Sequence, residues 1–249
     1  MEEKIEVIRL ENISKRFKIP KDRQSGLKGA LLNLLRGNKE YEVFYVLKDI
    51  NLSVKKGDFI GIIGRNGSGK STLLKIIANV LKPTSGKIFV DGKISPFLEL
   101  GVGFQGELSA RDNIYLYGAI LGLTRKEISK KFDDIIKFAE LERFVDMKLK
   151  SFSSGMVARL GFSIAIRVDA DIILIDEVLA VGDIEFQKKC FKYFENVRGK
   201  KTILFVSHDL NAIEIFCDKC LLIEKASLKM VSRPNDVIKF YSKQLKNKK

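Results

Sequence analysis

The stretch GDFIGIIGRNGSGKSTLLKIIANVL, Gly57–Leu81, decides the fold. Its opening, GDFIGIIG, is a run of apolar and β-branched residues, as in a strand buried on both faces. Its close, KSTLLKIIANVL, carries apolar residues at helical spacing. Between them GRNGSGKS, Gly64–Ser71, fits G-x-x-x-x-G-K-[ST] at every fixed position. Such glycines let backbone N–H groups wrap phosphate oxygens without a Cβ in the way, and the helix N-terminus adds partial positive charge. A nucleoside triphosphate is therefore expected against Gly64, Arg65, Asn66, Gly67, Ser68, Gly69, Lys70, Ser71 and Thr72. Lys70 is expected to reach the β- and γ-phosphates, and Ser71 to ligate Mg²⁺.

Outward from this stretch the chain alternates. IEVIRLENISKRFKI and VLKDINLSV read as extended before it; GKIFVDGKISPFLEL follows, with a turn at Asp91-Gly92. RDNIYLYGAILG through FAELERF is mainly helical. IILIDE and TILFVSHD are short buried strands separated by the helical DIEFQKKCFKYFENV. Strands alternating with helices predict an α/β fold with a largely parallel sheet covered on both faces.

IILIDE ends in Asp176 and Glu177. In a phosphate-loop protein the first acid holds Mg²⁺ through water and the second polarises the attacking water. His208 is the only histidine and closes the next strand, VSHD. Ligands of open α/β sheets bind at that edge, so His208 is expected to contact the γ-phosphate.

The totals set limits. No apolar run in the 249 residues approaches the ~20 needed to span a bilayer. The start, MEEKIEVIRL, is not that of a signal peptide, so a cytoplasmic location is expected. The 45 Lys and Arg against 31 Asp and Glu give +14, which favours polyanions or an anionic membrane face without choosing among them. Cys217 and Cys220, in CDKC, have metal-like spacing, but no second pair exists, and they read with Cys190 as free thiols.

The order of these motifs, with FSSGM (Phe152–Met156) before IILIDE and AVGD after it, resembles that of the ABC ATPases. FSSGM resembles their signature LSGGQ, with Ser154 in place of the first Gly and Met156 in place of Gln. The resemblance implies a P-loop NTPase of ABC type: a mainly parallel core sheet, an antiparallel β part and a helical subdomain. It implies ATP and Mg²⁺ as ligands. It also implies a head-to-tail homodimer, in which Ser153, Ser154 and Gly155 of one chain close on the nucleotide of the other and Asp183 crosses the interface. Ser153 or Ser154 is equally a plain helix N-cap. Tyr45, in FYVLKD, matches the aromatic that stacks on adenine, though an aromatic there also suits a core. Family members usually carry a Mg²⁺-sensing Gln after the strand that follows the phosphate-loop helix. Here Glu99 takes that place, and Gln105 matches only by residue type.

PFLELGVGF, ELSARDNIYLYGAILGLTRKEI, FSSGMVARLGFSIA and the basic insert after the first strand together resemble the ATPase subunits of polysaccharide exporters that move lipid-linked O-antigen or teichoic acid. That resemblance implies two polytopic membrane permease subunits as partners, a lipid-linked polysaccharide as cargo, no nucleic acid, and a peripheral place on the cytoplasmic face of the plasma membrane. Another ABC transporter class, or a soluble ABC ATPase acting on nucleic acid or ribosomes, is the alternative. The expected domains are a nucleotide-binding unit over 1–232, with a helical subdomain near 106–168 and an amphipathic insert near 20–42, then a C-terminal helix and basic tail over 233–249. Leu27, Leu31, Leu34 and Leu35 give the insert an apolar face, either for the membrane side or for the domain's own sheet. The run Glu99–Phe104 is expected to approach the membrane partner. Val157, Leu160, Gly161, Ile164, Ala165 and Val168 are expected to be the buried face of the helix after the signature.

Overall fold

The computed structural model describes residues 5–20, 41–97, 101–177 and 182–246. Two sheets and a helical layer make up the fold. Strands β1 (Glu6–Pro20), β2 (Tyr41–Lys55) and β4 (Ser85–Val90) form an antiparallel sheet in the order β2-β1-β4. The second sheet runs β5 (Ile94–Phe97), β6 (Ile172–Asp176), β7 (Thr202–Val206), β3 (Phe59–Ile63), β8 (Lys219–Glu224), β9 (Ser227–Ser232). Its first five strands pair parallel and β9 pairs antiparallel with β8.

Every residue of β3 and of β7 is buried. Alternate side chains of these strands enter two separate cores. Phe59, Ile203 and Phe205 join an aromatic-rich cluster on one face. Ile60, Ile62, Leu204 and Val206 join an aliphatic cluster on the other, which also takes residues of the small sheet and of helix α1 (Lys70–Ile77). Burial on both faces explains why the strands read as unbroken apolar runs.

A third cluster holds the helical layer: α2 (Ala110–Ile120), α3 (Arg125–Ala139) and the front of α4 (Ser154–Ala165). Capping boxes start α2 (Ser109 with Asp112) and α3 (Thr124 with Glu127), so each helix begins where its sequence satisfies two orphan amides. Helices α5 (Ile184–Val197), α6 (Leu210–Phe216) and α7 (Pro234–Lys246) complete the chain.

Helix α4 corrects the sequence expectation. Its burial is not confined to one face: Phe162 and Ser163 are fully buried with Leu160 and Ile164, whereas Val157 and Val168 are only half-buried. Leu160 and Ile164 face the helical layer, and Phe162 enters the aromatic core, with ring centroids 5.9 Å from Phe97 and Phe186. A helix wedged between two cores loses the polar face that an amphipathic reading assumes. The insert leucines lie outside the described residues. Among the described residues no helix is long and apolar enough to cross a membrane.

Candidate nucleotide site

The neighbours β6, β7 and β3 carry the site on their C-terminal ends. The phosphate loop leaves β3, Ser207 and His208 follow β7, and Asp176 and Glu177 end β6. Parallel pairing brings Asp176 level with Val206, so residues far apart in sequence meet at one sheet edge.

The loop is folded onto itself. Lys70 is 5% exposed, and its Nζ donates to the carbonyls of Gly64 (2.9 Å) and Arg65 (3.2 Å). Burial lowers the Lys70 pKa, while the carboxylates of Glu177 and Asp176 act to raise it. Gly64 has φ +153, and a Cβ there would stand 2.2 Å from the Ile223 carbonyl oxygen. Gly69, at φ 107, precedes α1 with no side-chain cap, so the first amides of that helix stay available to an anion. Arg65, Asn66 and Gly67 are exposed and Ser68 is buried with an unpartnered Oγ. Ser71 is exposed and Thr72 half-buried at the start of α1.

Burial raises the Asp176 pKa, and a hydrogen bond from Ser71 opposes the shift. Asp176 Oδ1 is buried without a hydrogen-bond partner. An orphaned buried carboxylate oxygen beside a hydroxyl is a donor set for a hard cation, so Ser71 and Asp176 fit Mg²⁺. Glu99, the third expected ligand, lies outside the described residues.

Glu177 has φ 58, a left-handed conformation that costs a non-glycine residue about 1–2 kcal/mol. Its N–H donates to the Val206 carbonyl (3.0 Å), which holds the turn in place. His208 Nε2 lies 2.8 Å from Glu177 Oε1. The pair opens onto a cleft of about 290 Å³ shared with Gln187, Ser207 and Asp209. On the other side of the loop, Tyr45, Lys48, Arg65, Asn66 and Ser68 line a second cleft of about 480 Å³. Tyr45 is 41% exposed there, so it is not a core residue.

The signature turn lies elsewhere. Ser153 caps α4, its Oγ accepting from Met156 N (3.2 Å), and Ser153 and Ser154 are exposed. None of Ser153, Ser154 and Gly155 lines either cleft. Asp183 caps α5 through Oδ1, which accepts from Phe186 N (2.8 Å).

A family model described as ABC transporter matches residues 47–180. The chain belongs to the ABC transporter family. As an ABC ATPase it binds and hydrolyses ATP. It is 42% identical over 246 residues to the O-antigen export system ATP-binding protein RfbB of Klebsiella pneumoniae, covering 96% of this chain and 98% of that one. It is 40% identical to the teichoic acids export ATP-binding protein TagH of Staphylococcus saprophyticus, covering 96% and 89%. Among solved structures, a dimeric ATP-binding cassette in a post-hydrolysis state bound to ADP and Pi superposes with a TM-score of 0.72 at 25% identity, over 91% of this chain and 98% of that one.

Three features of this ABC ATPase were not apparent from its sequence. The Glu177–His208 contact depends on β6 lying beside β7. Arg159 ties α4 to α3 and α5. Asn113 is fully buried; its Oδ1 accepts from Gln105 N (2.7 Å), and its Nδ2 donates to the carbonyls of Gln105, Leu108 and Ser109. Asn113 follows Arg111 and Asp112 at the polar start of α2, so no sequence signal set it apart. The cysteines are buried and free; burial pushes the thiols of Cys190 and Cys220 up to about 12 and that of Cys217 well above its usual range. Among the described residues no cluster of metal-ligating side chains forms around them.

Proposed function

We propose that this ABC ATPase is the motor subunit of an exporter of lipid-linked polysaccharide of the O-antigen or teichoic acid type. The observation that carries the proposal is likeness over nearly the whole chain to ATP-binding proteins of both export systems, together with a complete phosphate loop facing Asp176, Glu177 and His208. Two copies stand head to tail, and two permease subunits in the membrane hold them there. The chain is peripheral, on the cytoplasmic face. Residues 1–232 act as the nucleotide-binding unit, with the helical subdomain near 106–168 and the insert near 20–42, and residues 233–249 add a C-terminal helix, packed on the domain through the buried Val237, and a basic tail.

Each residue has a task in this reading. The backbone from Gly64 to Thr72 receives the phosphates. Lys70 gives up its carbonyl partners for phosphate oxygens. Tyr45 supplies a ring for the adenine. Ser71 and Asp176 would hold Mg²⁺, which when bound neutralises phosphate charge. Glu177 takes a proton from the attacking water, and His208 turns from Glu177 to the γ-phosphate, freeing that carboxylate. Ser153, Ser154, Gly155 and Asp183 serve the nucleotide of the second copy. Exposed Val102 belongs to the run expected at the membrane partner, whereas Phe104 is half-buried against Tyr117, with ring centroids 4.9 Å apart.

The test is a pull-down from native membranes with tagged Glu177→Gln chain in ATP, read by mass spectrometry. A multi-span membrane protein with a lipid-linked glycan is expected. Recovery of nucleic acid or ribosomes without a membrane partner would overturn the export assignment and leave the ATPase.

A further inference from the structure

Arg159, on α4, is a charged side chain outside the phosphate loop that meets three other parts of the fold. Its side chain is 15% exposed. Its Nε–H donates to the Ala139 carbonyl at the end of α3 (2.9 Å), and Nη2 pairs with Glu140. Nη1 lies 3.4 Å from Asp183 Oδ2, and the guanidinium carbon stands 5.1 Å from the centre of the Phe186 ring in α5. Glu140 pairs in turn with Lys189 of α5. Glu140 terminates α3 at φ 57, in the left-handed region, so the contact is made at a fixed corner.

A guanidinium taken out of water needs its donors satisfied, and its rigid planar fork holds several partners in fixed directions, whereas an ammonium is a compact charge with rotatable donors. Holding α4 to α3 requires only the Ala139 and Glu140 arms. The third arm reaches Asp183, whose other oxygen already caps α5. Both oxygens of that carboxylate are therefore engaged within the chain. Arg159 thus joins the helix that begins with the signature turn to the corner that carries Asp183. These are the two parts assigned above to the nucleotide of the second copy.

The geometry points to Arg159 as a positioning residue that locks the signature turn and the Asp183 corner into one rigid surface for the second copy of the chain. It rests on the dimer proposed above. The two parts then engage and release the partner's nucleotide as a unit.

The experiment uses full-length chain carrying Glu177→Gln, with and without Arg159→Lys, which keeps the charge and loses the fork. ATP-driven association is followed by sedimentation, and ATP affinity of the single chain by a fluorescent nucleotide. Arg159→Lys is expected to weaken association about ten-fold while ATP affinity stays within about two-fold. In chain without Glu177→Gln, kcat falls and KM holds. Asp183→Asn weakens association to a similar extent, and the double variant is no worse than either single one. Glu140→Gln removes an arm that does not reach Asp183 and leaves association unchanged. Additive losses from Arg159→Lys and Asp183→Asn, or an equal loss from Glu140→Gln, would overturn the coupling and leave the dimer standing. A Glu177→Gln parent that stays monomeric in saturating ATP would remove the dimer itself and this proposal with it. Should Arg159→Lys fail to fold, Asp183→Asn against Glu140→Gln makes the same comparison.

Discussion

Two glycines, Gly64 and Gly155, sit at two helix-linked turns for opposite reasons. At Gly64 a side chain has nowhere to go: φ is +153 and a Cβ would meet the Ile223 carbonyl oxygen at 2.2 Å and Ser68 Oγ at 2.7 Å. The chain's own fold excludes every other residue. At Gly155 φ is not positive, and the nearest atom to an added Cβ, Ser153 Oγ, is 3.8 Å away. Nothing among the described residues asks for glycine there, and within a helix glycine is the weaker choice by roughly 0.5–1 kcal/mol. A glycine that its own chain does not need points to a neighbour from outside. In the dimer proposed above, the phosphate loop is one half-site and the signature turn is the other half.

The largest effect that would test this contrast comes from Glu177→Gln. Turnover should fall on the order of 10²–10⁴-fold, the range for a general base, with nucleotide still bound. Single-turnover assays would show it, and normal turnover would remove Glu177 from the chemistry. Next is Gly64→Ala, which should reduce nucleotide affinity on the order of 100-fold, because the loop must shift to admit the methyl group. Titration with a fluorescent nucleotide checks this; unchanged affinity would mean that the loop tolerates what its geometry forbids. Gly155→Ala should behave in the opposite way, with nucleotide affinity and the unfolding midpoint kept or slightly raised and turnover down about ten-fold. Loss of nucleotide binding in that variant would collapse the contrast, since the turn would then serve its own chain's site.

How much of this was legible in sequence depends on distance along the chain. Gly64–Ser71 declares itself because a phosphate cradle is a local object, made by consecutive residues between one strand and one helix. Asp176 and Glu177 were readable as a strand end with two acids. The contact between Glu177 and His208 was not, because it exists only once β6 lies against β7. Phe162 was missed for a related reason: the second core against which α4 packs is assembled from β5 and α5, both far away in sequence. The roles proposed for Ser153 and Asp183 toward a second chain came from the family resemblance, not from the physics of a single chain. Within that chain, Ser153 is an ordinary cap, and Asp183 is a cap that also meets Arg159.

The smallest expected effect concerns protons. Burial depresses the Lys70 pKa in the free chain, and bound phosphates favour the ammonium form. Nucleotide binding should therefore take up protons at a pH near or above that depressed value. Affinity should be greatest below it and decline as pH rises through it. Calorimetry in buffers of different ionisation enthalpy reads the uptake directly. Lys70→Arg, whose charge does not titrate in this range, should abolish it; uptake that persists would assign the proton to another group.

Asn113 has a consequence of a different kind. One buried side chain bonds to backbone groups of Gln105, Leu108 and Ser109, and the N–H groups of Leu149 and Lys150 hold the carbonyls of Leu108 and Gly106, so the loop's path is set in large part by its neighbours. The exposed side chains at Gln105 and Leu108 take no part in those bonds and are free to vary without altering that path, whereas Glu107 pairs with Lys148 and Lys150. Such a loop gives natural variation a surface that can be recoded for a new partner while the frame beneath it is inherited unchanged.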